Sequence, residues 1–323
     1  PRFNFKDINT VASYILNSKN KISFTLKHGE DNINEEREFF GFENILSYDS
    51  TKIIENTTLA NTSGILKWAL YLNPEWSTKL SLAKTKYGSD HNSILINNSL
   101  TLNEYEQSVY EENTFTDEIL TIYQNIKSIK NHHLQLGYSH STFNSDFNTQ
   151  RILNESSEET RLVQKASLRS IFLEDKWAIS KNIKLRLGIR NTYFSKNNSS
   201  YLEPRISATM KVTPNFIFEG ALGKNNQFIH QFNSPLSTRG TQGTWLISQE
   251  QIPVVSSFSS QISSHWKGHK HEYSISLYQR SSEGHSNFEK YLSPIPILSD
   301  QNEYGNQYYS ESKGKEKING TEV

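Results

Sequence analysis

The chain lacks cysteine entirely, since none of its 323 residues is a cysteine. This absence excludes a disulfide framework, a thiolate metal site and a cysteine nucleophile. An excess of charge of either sign is also missing, because 34 basic residues balance 34 acidic ones. A nucleic-acid-binding protein ordinarily carries a basic surface, so the balance argues against that class.

Long hydrophobic runs are absent as well. No stretch approaches the roughly 18 consecutive apolar residues that a membrane-spanning helix requires, and this excludes a helical membrane protein. A membrane β-barrel is not excluded by the same test, because each strand needs only about 9 to 11 residues that alternate between apolar and polar. Aromatic residues make up 12% of the chain, which is too many for an ordinary disordered protein.

An alternation of apolar and polar residues runs through the chain, and residues 181–190, KNIKLRLGIR, show it most clearly. Successive side chains of a strand point to opposite faces, so Leu185 and Leu187 share one face while Lys184 and Arg186 share the other. The apolar face meets either a buried core or lipid, and the alternation alone does not choose. The same pattern recurs in residues 22–27, 66–72, 134–139, 206–212 and 273–278.

The connections between the strands fall into two classes that take turns along the chain. Short polar turns are predicted at residues 17–20, 73–77, 127–131, 180–182, 213–215 and 267–270. Long polar segments separate them, at about residues 29–58, 86–113, 144–160, 224–253 and 281–310, with one short exception at residues 195–200. Short periplasmic turns and long extracellular loops are typical of outer-membrane barrels.

The sequence therefore predicts an all-β fold, an antiparallel up-and-down transmembrane β-barrel of which about 12 or 13 strands are present. A soluble propeller is the competing repeat, but its blades hold about four strands in roughly 40 to 50 residues. Here each interval between short turns holds only a pair of strands. We therefore expect the apolar face, with Ile183, Leu187 and Ile189, to contact lipid.

The opposite face is expected to line a wet barrel interior, and burial of its cations as ion pairs in a soluble core is the alternative. The cations concerned are Arg186, Arg190, Arg205 and Lys211. Aromatic residues near strand ends are expected to form girdles at the two membrane interfaces. They are Tyr14, Trp76, Tyr87, Trp177, Tyr193, Phe216 and Trp266.

Residues 201–232 resemble a passage in the barrels of TonB-dependent outer-membrane receptors, in which LEPR or LSPR, a strand, a short turn and a second strand precede QF. The matching residues are Glu203, Pro204 and Arg205 in the first part and Gln227, Phe228 and His230 in the second. Residues 170–190, 243–262 and 312–323 are similar to further family segments in the same order, although Glu316 stands where an aromatic residue is common. The likeness spans essentially the whole chain.

The resemblance implies that residues 1–323 form a single partial barrel domain, the central part of a barrel of roughly 22 strands. The family's plug domain and final strands are not recognised in the chain, and no signal peptide is recognised at its start. We therefore expect a fragment or a processed piece of a longer protein. The resemblance also implies a place in the Gram-negative outer membrane, with outer-membrane lipid, the TonB complex acting through the plug, and a surface lipoprotein as partners.

The expected function is uptake of an iron chelate, a glycan or a peptide through the outer loops. A non-transporting structural or adhesion module of the outer membrane is the alternative. An outer-membrane enzyme is less favoured, because the chain has no nucleophile elbow, phosphate loop, dinucleotide fingerprint or His-Glu-x-x-His motif. No cofactor and no nucleic-acid partner are expected.

Ligand contacts are expected in the long loops, because loops on a rigid scaffold carry function. The candidates lie near the base of one loop: Phe228, His230, Phe232, Arg239 and Trp245. The alternative for these residues is that they only pack the loop. The histidine groups at residues 132–133 and 265–271 lie at predicted tight turns without an evident carboxylate partner, so no metal site is predicted there.

Overall fold

The computed structural model describes residues 2–44, 47–98, 105–127, 129–153, 156–233, 243–250, 252–287 and 310–323. These residues contain 15 strands, and 13 of them form one antiparallel sheet, here called the main sheet. The strands are β1 (Arg2–Asn17), β2 (Asn20–Asn44), β3 (Ser47–Asn73), β4 (Trp76–Asn98), β5 (Tyr105–Ile126), β6 (His132–Leu153), β7 (Ser156–Ala178), β8 (Ile183–Phe194), β9 (Ser199–Thr213), β10 (Phe216–Gln227), β11 (Ile229–Asn233), β12 (Gly243–Ile247), β13 (Val255–Lys267), β14 (Glu272–Asn287) and β15 (Ser310–Glu322).

Each strand of the main sheet pairs with its neighbours in the sequence, in the order β1 to β10 and then β13 to β15. The hairpin β11–β12 forms a separate sheet of two strands. β1 and β15 are the two edges of the main sheet, so the described strands do not close on themselves. The predicted up-and-down antiparallel fold is confirmed. In the described part of the chain, no helix is long and apolar enough to cross a membrane.

The predicted short turns are confirmed, and polar side chains close several of them. Asn73 accepts hydrogen bonds from the backbone N–H groups of Glu75 and Trp76 at 2.9 and 2.8 Å. Ser180 accepts in the same way from Asn182 and Ile183. Side chains that satisfy the backbone locally favour a tight reversal, so both strands of each hairpin start in register.

Three of the long polar segments, residues 29–58, 86–113 and 144–160, are strand wherever the structure describes them, so the hairpins extend further than the sequence suggested. β2 and β3 stay paired through residues 29–44 and 47–58, and β4 and β5 through residues 86–97 and 105–113. Far from the short turns, polar residues lie on both faces of these hairpins. The alternation of apolar and polar residues fades there, while the strand pairing that begins near the short turn continues. Residues 288–309, in the last of the long polar segments, lie outside the described residues.

One face of the main sheet is apolar and exposed. Leu173, Leu187 and Ile262 point outward with 48%, 40% and 52% of their surface exposed. So many exposed aliphatic side chains do not form a soluble core, and the alternative of core burial for this face is wrong. The outward side chains of residues 76–82, 120–126, 134–138, 171–177 and 183–189 belong to this surface, here called the apolar band.

The opposite face, here called the inner face, carries the cations that the sequence assigned to a wet interior. Arg186 lies 2.8 Å from Glu174 on the neighbouring strand, and its side chain keeps 54% of its surface exposed. Arg205 lies between Gly188 and Gly223, its Cα partners on both neighbouring strands. A Cβ at Gly188 would come within 2.9 Å of the Arg205 side chain, so glycine leaves room for that arginine to lie across the strand.

The aromatic residues predicted for the girdles divide between the two faces. Tyr14, Trp177 and Trp266 are exposed near the short turns, as a girdle requires. Tyr87 is different, because it packs on the inner face against Trp245. Its prediction as a girdle residue is therefore wrong.

Candidate functional site

The two halves of the YLEPR–QFIHQF passage meet at the point where the chain leaves the main sheet. Glu203 is 5% exposed, and its carboxylate accepts a hydrogen bond from the backbone N–H of Asn226 at 2.8 Å. Phe228 follows, with its ring 5.1 Å from both Phe194 and Tyr201. These contacts direct the chain after β10 toward the inner face.

The hairpin β11–β12 lies on the inner face and covers β5, β6 and β7. Its strands pair from Ile229 with Ile247 to Asn233 with Gly243. The return to the main sheet passes close to Gly284, where an added Cβ would lie 2.7 Å from the carbonyl oxygen of Val254. Gly284 has a φ of 91°, so both its backbone conformation and this close approach require glycine.

Side chains of the main sheet satisfy the unpaired edge of β12. The backbone N–H of Trp245 donates to Asn113 at 2.9 Å, and its carbonyl accepts from the hydroxyl of Ser145 at 2.5 Å. The amide of Gln164 accepts from the N–H of Ile247 at 2.9 Å and donates to its carbonyl at 3.3 Å. Gln164 is 1% exposed and therefore takes the place of a neighbouring strand's peptide group.

An aromatic cluster lies under the hairpin. The ring of Trp245 lies 5.7 Å from that of Phe115 and 6.0 Å from that of Tyr87. Phe115 in turn stacks on Phe143 at 6.1 Å. Within the described residues, the indole N–H of Trp245 is buried without a hydrogen-bond partner. A buried donor without an acceptor is costly in a protein, and a bound acceptor would relieve that cost.

The structure brings together four of the five candidate ligand contacts. Phe228, His230 and Phe232 are 7%, 8% and 9% exposed and hold the hairpin by packing. Trp245 is partly exposed and lies at the aromatic cluster. Arg239 lies outside the described residues.

Sequence reasoning missed the residues of the main sheet that receive the hairpin. Asn113, Ser145 and Gln164 belong to segments that were expected to be loops or were not singled out. Phe115 and Phe143 fit the alternation but were not assigned to the inner face. The sequence feature that could have identified Phe115 and Phe143 is an aromatic residue at an inward-facing strand position beyond the apolar band. Contact with lipid does not explain an aromatic residue there.

His230 is the titratable group at the centre of the hairpin. Its Nε2 lies 2.8 Å from the hydroxyl of Ser248. The pKa of His230 is lowered from its ordinary 6.5 to about 4, mainly by burial and secondarily by the electrostatic influence of His285, while a hydrogen bond with the backbone of Pro253 acts in the opposite direction. His285 itself contacts Ser282 at 2.9 Å and Glu316 at 3.5 Å.

We expect docking of the hairpin to weaken as the pH falls from 6.5 toward 4. The neutral form of His230 is favoured when docked, so this contribution to stability is complete above pH 6.5 and is lost as the pH falls through about 4. Hydrogen-exchange protection factors of residues 243–248 at several pH values measure the effect. His230→Gln should flatten this pH dependence, whereas His271→Gln at an exposed turn should leave it. An unchanged slope in His230→Gln would contradict the assignment.

The histidines at the short turns make different contacts. His132 lies 2.7 Å from Asp175, and its ring stacks on Trp177 with 5.3 Å between centroids. Asp175 belongs to the outward face, while the adjacent Glu174 points inward to Arg186. Searched over the described residues, the chain shows no group of three or more metal-ligating side chains arranged for a metal ion.

An antiparallel up-and-down sheet with one apolar exposed face and one polar face that carries an inserted hairpin defines the class of transmembrane β-barrel walls. The model of the family described as "TonB dependent receptor-like, beta-barrel" matches residues 8–322. The chain therefore belongs to the TonB-dependent receptor β-barrel family. A comparison with curated protein sequences finds no match.

Solved structures are similar to this chain in fold at low sequence identity. The RagAB peptide importer in its closed-closed state matches with a TM-score of 0.61 at 11% identity, over 99% of this chain and 43% of the importer chain. The ferric-catecholate import receptor Fiu from K12 E. coli matches at 0.57 and 9% identity, over 98% and 60%. The ferric yersiniabactin uptake receptor FyuA from Yersinia pestis matches at 0.53 and 7%, over 83% and 46%. This chain thus spans less than two thirds of each of these proteins.

Proposed function

We propose that the chain is the barrel part of an outer-membrane receptor that captures a ligand on its outer side and imports it with energy transmitted by TonB. The observation that carries the proposal is the attachment of the hairpin β11–β12. Side chains of Asn113, Ser145 and Gln164 hold it on the inner face, and the hairpin is not part of the main sheet. Its release would therefore open the interior without breaking strand pairing in the main sheet.

Trp245 is the proposed ligand contact of the hairpin. It combines an aromatic surface with an N–H group that has no acceptor among the described residues. A ligand with a planar or apolar group beside a carbonyl or hydroxyl acceptor would complement it. Peptides, glycans and iron chelates all offer such groups. Phe228, His230 and Phe232 are proposed to keep Trp245 in place, and Arg239 remains a predicted contact.

The proposed location is the outer membrane of a Gram-negative bacterium, with the apolar band in lipid. TonB would act through a plug domain, and a surface lipoprotein would be a partner on the outer side. The proposal includes no catalytic step. Family membership supports this set of partners.

Uptake in living cells tests the proposal. The intact receptor is expressed in a Gram-negative host, and accumulation of radiolabelled peptides, oligosaccharides and ferric chelates is compared in cells with and without TonB. We expect uptake of one of these classes to depend on TonB. Trp245→Ala should lower that uptake at least tenfold, whereas Trp266→Ala, on the outer face, should change it less than twofold. Equal uptake with and without TonB would refute transport energised by TonB, and no uptake above that of cells without the receptor would favour a non-transporting module.

A further inference from the structure

Asp117 is a carboxylate of the inner face that lacks a partner. It lies on β5 beyond the apolar band and is partly exposed, but its Oδ1 atom is buried without a hydrogen bond among the described residues. It also forms no ion pair with any described residue. Glu174, in contrast, pairs with Arg186 at 2.8 Å, and Glu203 accepts the N–H of Asn226 at 2.8 Å. A buried carboxylate oxygen without a partner is costly, so a bound cation would relieve that cost.

The aromatic cluster borders Asp117. Phe143 is the Cα partner of Asp117 on β6, and Phe115 lies two residues before Asp117 on the same face of β5, about 7 Å away. Tyr87 is the Cα partner of Phe115 on β4, and the ring of Trp245 contacts both Tyr87 and Phe115 from the hairpin. Asp117 therefore lies at the side of the cluster that faces the short turns.

Aromatic rings of the inner face bind cations elsewhere in this chain. The Nζ of Lys79 lies 5.7 Å from the ring centre of Tyr123, and the guanidinium of Arg190 lies 5.4 Å from that of Phe172. A cation within about 6 Å of an aromatic ring is attracted by the negative face of that ring. No cation of the described residues lies over a ring of the aromatic cluster. Asp117 and the cluster thus both attract a cation, and the described part of the chain does not supply one.

The two unpaired groups at this place require opposite partners. Asp117 requires a cation or a hydrogen-bond donor, whereas the indole N–H of Trp245 requires an acceptor. A primary ammonium group is a compact charge with three donors, which suits a carboxylate beside aromatic rings. A metal ion would need further ligands, and the described residues hold no group of three metal-ligating side chains. An ammonium group is therefore the cation that complements Asp117.

We propose that Asp117 and the aromatic cluster form a subsite for a primary ammonium group of the imported ligand. The inference rests on the proposed function, because the ligand is the one captured at Trp245. Its ammonium group would lie beside Asp117, and one of its carbonyl or hydroxyl oxygens would accept the Trp245 N–H at the other side of Phe115. The subsite would thus select amine-bearing members of the class of ligand that is imported.

Matched probes that differ by one acetyl group test this inference. They are a tripeptide, a trisaccharide with one glucosamine and a ferric trihydroxamate with an aminoalkyl end, each compared with its N-acetylated form, which has no ammonium charge. Binding to the purified intact receptor is measured by isothermal titration calorimetry. Asp117→Asn is the test variant, since it keeps the shape of the side chain and removes the charge. Glu118→Gln is the matched control, because this adjacent carboxylate points outward and pairs with Lys84 at 2.7 Å.

The expected result is that the unmodified receptor binds the free amine of one probe roughly tenfold or more tightly than the acetylated form. Asp117→Asn should reduce this preference to less than twofold, and Glu118→Gln should retain it. The thermal stability of Asp117→Asn should equal or exceed that of the unmodified receptor, because an unpaired charge is removed. Equal binding of both forms by the unmodified receptor, or no binding of any free amine, would overturn the inference.

Two further outcomes are distinguishable. If a cation of the plug domain pairs with Asp117, Asp117→Asn should lower the thermal stability of the intact receptor and leave the preference for the amine unchanged, and the inference would be wrong. Preference for the amine that depends on Asp117, together with equal uptake in cells with and without TonB, would instead support the subsite and refute import energised by TonB.

Discussion

Leu187→Arg is expected to prevent stable insertion of the barrel, whereas Arg186→Leu should be tolerated. Leu187 points outward in the middle of the apolar band of β8, and an arginine at the bilayer midplane costs about 2 to 4 kcal/mol in such barrels. Arg186 points inward, where its own side chain is largely exposed, and Lys176 remains 3.8 Å from the carboxylate of Glu174 when Arg186 is replaced. Neighbouring residues of one strand should therefore respond very differently to substitution.

Heat-modifiable mobility of the receptor in the outer-membrane fraction measures this difference. The folded fraction should fall sharply for Leu187→Arg and stay near that of the unmodified receptor for Arg186→Leu. Leu187→Ala is the control, since it removes the apolar side chain without adding a charge. Similar folded fractions for Leu187→Arg and Arg186→Leu would show that the apolar face does not meet lipid.

The wall of the barrel could be predicted from the sequence because its physics is local. Alternation of side chains in residues 183–189 fixes two faces, and polar side chains such as Asn73 and Ser180 fix the short turns. Which face meets lipid was decided by the succession of short turns and long segments. The exposure of Leu187 and Ile189 agrees with that decision.

The length of the strands beyond the apolar band could not be predicted in the same way. In residues 29–38 polar side chains lie on both faces, with Asn34 on one face and Glu35 on the other, so the alternation disappears. Strand pairing nevertheless continues, because each added pair of residues extends a register that already exists. A polar segment between two alternating strands therefore predicts water on both faces, and does not by itself predict a loop.

The hairpin on the inner face was beyond sequence reasoning for a different reason. Gln164 contacts Ile247 across 83 residues of chain, and Asn113 contacts Trp245 across 132. Contacts at such separation leave no periodic pattern in either segment. The family passage ending in Phe228 and His230 did indicate where the hairpin begins, although not which surface it covers. The passage thus indicated the segment that forms the hairpin, while the wall residues that receive it were not found, and the ligand contacts in that segment stay a prediction.

Gln164→Leu is expected to release the hairpin while leaving the main sheet intact. The substitution conserves much of the side-chain volume but leaves the N–H and carbonyl groups of Ile247 buried without their partner. Each unsatisfied buried group costs about 1 to 3 kcal/mol, so a total loss of about 2 kcal/mol or more should raise the undocked population roughly 30-fold. Hydrogen exchange of residues 243–250 should accelerate accordingly, while exchange of β6 should not change.

Gln150→Leu provides the matched control, because the Gln150 side chain is partly exposed and bonds to Ser157 at 3.1 Å, away from the hairpin. Hydrogen exchange of residues 243–250 in the Gln150→Leu variant should equal that of the unmodified receptor.

A permeability measurement tests whether release of the hairpin opens the interior. If it does, the Gln164→Leu receptor should let a small charged solute pass through the barrel in vesicles, and the Gln150→Leu receptor should not. Faster exchange without greater permeability would show that the hairpin presents the ligand contact but does not close the interior. Unchanged exchange would show that the Gln164 amide does not hold β12, and the attachment on which the uptake proposal rests would then be wrong.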